Sequence, residues 1–236
     1  MKDIVGAMAK ANEYLKYRKK GEEPFHLVDA VREFGFESLK EYFEAKRDYE
    51  FSQLEFEMIE TTPGKYIERL FEIINEKKSS LLLCDVNETC VAHGNECEFN
   101  TDYCTDCGFN MYPLYSGAGA IVFTPGDIAV GISLPEDPDL GKEYLLKGIT
   151  SIISKYTDKT VEISGNDILV GGFKISGSTR YEQNNMLMLI FNLTFSDKSE
   201  LIGNVCTKHS LKQPGYIDFM TREDFRREVV KWLRAQ

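Results

Sequence analysis

The sequence predicts an α+β fold, a mostly antiparallel sheet flanked by helices and preceded by a small helical segment. Three observations carry that expectation. Short β-prone runs, either alternating or continuously apolar, recur between turn residues from position 51 onward. Other stretches place their apolar residues at helical spacing, as in Tyr66, Leu70, Ile73 and Ile74. Between Ile168–Val170 and Phe173–Ile175 stands Gly171-Gly172, a pair suited to the left-handed positions of a two-residue hairpin turn.

Taken in order, residues 1 to about 50 read as helical. Leu27, Val31 and Phe34 fall at i, i+4 and i+7, Gly35 stops the run, and Ser38 with Glu41 opens a new helix striped by Leu39, Tyr42 and Phe43. From Phe51 the period changes to two, with Leu54, Phe56 and Met58 expected on the covered face of a strand and Glu55 and Glu57 opposite. A boundary near residue 50 follows, separating a helical appendage (1–50) from the main domain (51–236). Thr62-Pro63 opens the next helix, and strands are expected at Ser80–Cys84 and Cys90–Ala92. A short helix from Thr101 ends at Gly108, and strands follow at Met111–Leu114, Ala120–Phe123 and Ile128–Leu134. Beyond Pro138 a helix buries Leu145, Ile149, Ile152, Ile153 and Tyr156. After the hairpin come an apolar strand, Met186–Phe195, and a closing helix opened by Thr221 and Asp224 that buries Phe225, Val229, Trp232 and Leu233.

With 236 residues the chain is long enough to bury a full core. Its formal net charge of −10 argues against a nucleic-acid partner, because phosphate binding needs clustered cations. No run of apolar residues has membrane-spanning length, and the N-terminus lacks a signal pattern. The expectation is a cytoplasmic protein with no membrane partner. Its six cysteines, five of them between Cys84 and Cys107, do not form the dense framework of a small secreted domain and read as reduced thiols.

The hairpin carries the most distinctive chemistry, since it places Lys174 on a strand followed by the small residues Ser176, Gly177 and Ser178. Such a backbone admits a ligand closely, although a surface hairpin with a solvated lysine reads the same way.

An ordered set of motifs resembles the superfamily of lipoate-protein ligases, octanoyltransferases and biotin-protein ligases. The pieces are Val91-Ala92-His93-Gly94-Asn95, Asn100-Thr101-Asp102-Tyr103-Cys104 with Gly108, Ser116-Gly117-Ala118-Gly119-Ala120-Ile121, Pro125-Gly126-Asp127, and Asn166-Asp167 followed by Lys174-Ile175-Ser176-Gly177-Ser178. The resemblance spans roughly residues 52–215 and implies the lipoate/biotin-protein ligase fold. It further implies an enzyme that moves a lipoyl or octanoyl group to a protein lysine. ATP and lipoate, or an acyl-carrier-bound octanoyl group, would be its co-substrates, with Mg²⁺ accompanying ATP and no resident metal. A lipoyl domain or similar acceptor protein would be its partner. Lys174 would stabilise the oxyanion at the acyl carbonyl. Gly117, Ala118, Gly119, Asn166, Asp167 and Ser176 would bind the acyl group or nucleotide.

Several positions depart from the family pattern. Tyr112-Pro113-Leu114-Tyr115 stands where ligases carry arginines, and Ala118 interrupts the glycine run. These departures keep open a member that binds an acyl or biotin-like ligand, or a partner protein, without adenylation. Octanoyltransferases use a cysteine thirty-odd residues beyond the lysine. Cys206 falls 32 residues after Lys174 and could hold an acyl thioester with its pKa lowered by the ammonium, or be a buried structural thiol. His93, Cys97, Cys104 and Cys107 raise a zinc site as well, but their irregular spacing favours packed thiols.

Overall fold

The computed structural model describes residues 2–21, 26–95, 97–114, 119–135, 140–206 and 212–234. The chain divides into two compact units, residues 1–53 with 233–236, and residues 54–232. The first unit contains α1 (Ile4–Lys19), α2 (Leu27–Arg32) and α3 (Leu39–Ser52). Asp3 caps α1 by accepting from the Gly6 amide at 2.9 Å. Gly35, with φ 89°, makes the turn after α2 that a side chain would resist. The Glu41 amide donates to Ser38 Oγ, while the Glu41 carboxylate accepts from the amide of Glu37 at 2.7 Å. Ala7, Ala11, Val31, Phe36 and Tyr42 are buried together, with Leu27, Phe34 and Phe43 packed on them. These apolar residues close a core within the unit.

The second unit begins with β1 (Glu55–Thr61), α4 (Pro63–Asn75), β2 (Ser80–Val86), β3 (Cys90–His93), α5 (Thr101–Asp106), β4 (Asn110–Pro113), β5 (Ala120–Phe123) and β6 (Ile128–Pro135). It continues with α6 (Leu140–Ser154), β7 (Val161–Ser164), β8 (Asp167–Val170), β9 (Phe173–Lys174), β10 (Ser176–Gln183), β11 (Met186–Leu193), α7 (Ser199–Val205) and α8 (Arg222–Arg234). The main sheet runs β1-β2-β6-β11-β10, and two three-stranded sheets run β4-β3-β5 and β7-β8-β9. Among the described strand pairs, only β1-β2 and β3-β4 run parallel, so the antiparallel α+β expectation holds.

Three local expectations are corrected. Helix α3 runs on to Ser52, so the strand starts at Glu55 instead of Phe51. From Phe56 onward its faces are also inverted: Phe56 and Met58 are 39% and 53% exposed, whereas Glu57 is half-buried and paired with Arg69 of α4 at 3.0 Å; Glu55 is exposed as expected. Tyr156 lies beyond the end of α6 and is only half-buried.

Helix α4 is capped by Thr62 Oγ1, which accepts from the Lys65 amide, and starts on Pro63 as expected. Its apolar face joins Leu82 and Cys84 of β2, Ala129 of β6, and Met188 and Ile190 of β11 in one core. Close approach there depends on Gly131 in β6, because a Cβ at that position would lie 2.5 Å from Leu70 Cδ2 and 2.7 Å from the Tyr66 hydroxyl. Helix α8 opens on Thr221, which accepts from the Asp224 amide at 3.1 Å and donates to its carboxylate at 2.8 Å. Phe225 of α8 meets Phe195, just past β11, edge to face, and Arg226 pairs with Asp85 of β2.

Gly131→Val is expected to wedge α4 off the sheet and destabilise the domain by about 1–3 kcal/mol or more. Urea denaturation reads this directly, and an unchanged midpoint would contradict the packing described.

Candidate functional site

The hairpin forms as its sequence directs, with Gly171 and Gly172 at φ 58° and 85°. Lys174 is the last residue of β9, and its backbone is held on both sides. Its amide donates to Gln213 O and its carbonyl accepts from the Gly215 amide, both at 2.8 Å. The stretch after it is a long strand, β10, which pairs with β11. Strand β10 therefore brings the small hairpin sheet against the main sheet.

Where these sheets meet β5 and α7, a cavity of about 500 Å³ opens. Ala120, Ile121, Val122 and Ile202 supply apolar wall, and Lys174, Ser176, Asn192, Thr194, Lys198, Cys206 and Lys212 supply polar groups. That mixture on a preformed concave surface suits a small ligand with one polar end. A wider depression of about 640 Å³ lies over residues 154–159 alone and gathers no groups from distant elements.

Lys174 sits at the mouth, its side chain 28% exposed and its ammonium 3.0 Å from Asp167 Oδ1. Lys212 reaches the other oxygen, Oδ2, at 2.8 Å, and also donates to Ser164 O at 2.7 Å. Two cations thus share one carboxylate, leaving the mouth with a net positive character. The cavity's inner wall holds a third cation. The Lys198 side chain is only 4% exposed, and its ammonium pairs with the buried Asp127 while donating to Val122 O at 2.6 Å. Burial lowers the Lys198 pKa and the Asp127 charge opposes that shift. Asp127 Oδ2 also accepts from the Thr124 amide and hydroxyl, while Oδ1 has no partner among the described residues.

The sequence-derived candidates do not all meet at this cavity. Lys174, Cys206, Gly119 and Ser176 line it. Gly117 and Ala118 lie outside the described residues. Asp167 is not on the wall; it anchors the two lysines instead. Asn166 is exposed in the β7–β8 turn, its carbonyl accepting from Ser178 Oγ. Ser176 Oγ accepts from the buried Ile168 amide at 2.8 Å.

The pKa of Cys206 differs from expectation. Burial raises it and the nearby Cys97 adds to the rise, while Lys174 lowers it by a smaller amount. Desolvation of the thiolate therefore outweighs the ammonium.

His93 is turned to Phe99, ring centroids 4.8 Å apart, Cys104 is buried with Val91, Val122 and Val205, and Cys107 is exposed. Among the described residues no group of three metal-ligating side chains converges. Nor does any described helix have the length and apolarity to cross a membrane.

Lys198, Lys212, Asn192 and Thr194 were not singled out by sequence. Ser196-Asp197-Lys198-Ser199 reads as a solvated loop, and no periodicity marks a charged residue that will be buried.

The family model of the lipoyl protein ligase A/B catalytic domain matches residues 65–217. No curated protein matches significantly by sequence. Among solved structures, Plasmodium falciparum LipL1 in complex with lipoate aligns at TM-score 0.64 and 12% identity, over 76% of this chain and 61% of that one. A bipartite lipoate protein ligase from Thermoplasma acidophilum, studied with its E2 lipoyl domain, aligns at 0.63 and 14% identity, over 78% and 83%. A lipoate-protein ligase A bound with ATP aligns at 0.61 and 15%, over 78% and 85%. The chain therefore spans less than two thirds of the first of these proteins, and at such identities the likeness is one of fold.

Two measurements test the electrostatics. Asp127→Ala strands the buried Lys198 ammonium and is expected to destabilise the domain by about 3–5 kcal/mol, with Asp127→Asn milder; equal stability of all three proteins would refute the ion pair. Iodoacetamide at neutral pH is expected to label exposed Cys107 well before Cys206, as followed by peptide mass spectrometry. Preferential labelling of Cys206 would show that it carries a thiolate after all.

Proposed function

The chain belongs to the lipoyl protein ligase A/B catalytic-domain family, and from that premise we propose that it transfers a lipoyl or octanoyl group to a lysine of an acceptor protein. One observation carries this reading beyond the family match. Lys174 and Gly119 face the same cavity, and a Cβ at Gly119 would meet nothing within 4 Å. Neither a left-handed backbone nor a crowded neighbour requires glycine at this exposed position, and its missing side chain leaves the approach to the cavity beside Lys174 open. The acyl chain would run along Ile121, Val122 and Ile202, with its carboxyl group toward Lys174.

In this reading the acyl carboxylate is first activated by ATP, releasing pyrophosphate. The acceptor amine then attacks the carbonyl and AMP leaves. Lys174 stabilises the oxyanion that forms, its ammonium oriented by Asp167 and by the strand that holds its backbone. Lys212 adds positive charge for the phosphate of the adenylate. ATP and lipoate as substrates are supported by the ligands of the similar folds, and a lipoyl-domain acceptor by the pairing of the archaeal protein with its own. The activity itself rests on Lys174 and its surroundings.

A second reading routes the acyl group through a thioester on Cys206. Its position on the same cavity as Lys174 favours that route, and the raised thiol pKa weighs against it.

Incubating the full chain with ATP, lipoate and a lipoyl domain is expected to add a lipoyl mass to the acceptor. Lys174→Ala should reduce the rate roughly a hundredfold or more. Cys206→Ser should leave an ATP-dependent rate nearly intact and abolish a thioester route. Gly119→Val should fold normally yet lose acid binding, which calorimetry reads. Undiminished transfer by Lys174→Ala would overturn the catalytic reading.

A further inference from the structure

Of the nine buried polar or charged side chains among the described residues, four, Ser176, Asn192, Thr194 and Lys198, line the one cavity. An acyl pocket needs no such concentration, because a hydrocarbon chain offers nothing to bond. Three of the four are engaged locally. Ser176 accepts from the Ile168 amide, Asn192 Oδ1 accepts from the Gly177 amide at 2.9 Å, and Asn192 Nδ2 lies 3.4 Å from Thr194 Oγ1. Lys198 is different. Its ammonium carries three N–H donors, of which Asp127 and Val122 O take two. One remains, on a buried side chain that lines this cavity and also borders a depression shared with Thr124, Asp197 and Asn204.

We propose that Lys198 is a specificity-determining residue that selects acyl groups bearing a hydrogen-bond acceptor at the distal end over saturated chains of equal length. The inference rests on the acyl-pocket reading of the same cavity and adds to it the class of acyl group. The physical reason is desolvation. A ligand that fills the cavity displaces the water able to reach the third N–H, and a terminal methyl group gives nothing in return. A hydroxyl, carbonyl or heterocyclic acceptor placed there restores the bond, and with a charged donor that bond is of the stronger kind. The Asp127 pair fixes the direction of the ammonium, so Lys198 cannot swing away from an apolar ligand as a surface lysine would.

The test uses the full chain and direct calorimetric binding of three eight-carbon acids, namely octanoic, 8-hydroxyoctanoic and 7-oxooctanoic acid, without ATP or acceptor. The wild-type protein is expected to bind one or both oxygenated acids on the order of tenfold more tightly than octanoic acid. The double substitution Lys198→Met with Asp127→Asn, which leaves no unpaired buried charge, is expected to abolish or invert that preference, with its fold checked by circular dichroism. A purely structural role for Lys198 would lower affinity for all three acids together and leave their ratios unchanged, which would overturn the proposal. So would a wild-type protein that binds octanoic acid as well as the oxygenated acids, a comparison that needs no variant. Failure of all three acids to bind would instead remove the acyl-pocket reading, and this inference with it.

Discussion

The buried pair of Lys198 and Asp127 is the constraint on which the cavity depends. Asp127 stands before β6 and fixes the preceding turn through the Thr124 amide and hydroxyl. Lys198 comes from the segment after β11 and reaches Val122 O in β5. One ion pair therefore ties the second sheet to the main sheet at the point where the cavity's inner wall is built. Pairs of this kind are poor sources of net stability, since removing two charges from water offsets much of their attraction. What they provide is direction: the ammonium has one position in which both charges are satisfied.

The mouth is organised on the opposite principle. There the cations are partly exposed and outnumber the anion, with Lys174 and Lys212 both on Asp167. Solvent screens such contacts, so they hold the lysines in place without confining them. Lys174 owes its position chiefly to the backbone, held between β8 and residues 213–215. The contrast gives the site a positive, partly exposed entrance and a buried, ion-paired interior, an arrangement suited to a ligand that is anionic at one end and buried along its length.

Small residues complete the shape. Gly119 and Gly203 approach the cavity from different elements, and a Cβ on either would meet open space. Gly131 is the reverse case, a glycine demanded by the close seating of α4. The same residue type thus borders open space at the cavity and permits close packing under α4, and only the surroundings tell the two apart.

The sequence by itself determined the features that depend on neighbours a few residues away. Helix α4 with its Thr62 cap, α8 with Thr221 and Asp224, the Gly171-Gly172 turn, and the position of Lys174 on a strand are all set by local backbone preference and periodicity. The ordered motifs also placed the chain in its family, confirmed over residues 65–217. Tertiary structure alone decided the rest. An alternating strand does not state which face is covered: Ile59 packs against the core and Glu57 pairs with Arg69 on one face, while Phe56 and Met58 face outward. A lysine in a polar segment carries no sign that it will be buried, so Lys198 became visible only beside Asp127. Cys206 could be read as activated from its distance to Lys174 along the chain, yet a thiol's pKa is set by how much water surrounds it. Desolvation and ion pairing are sums over groups remote in sequence, and those sums exist only after the chain has folded.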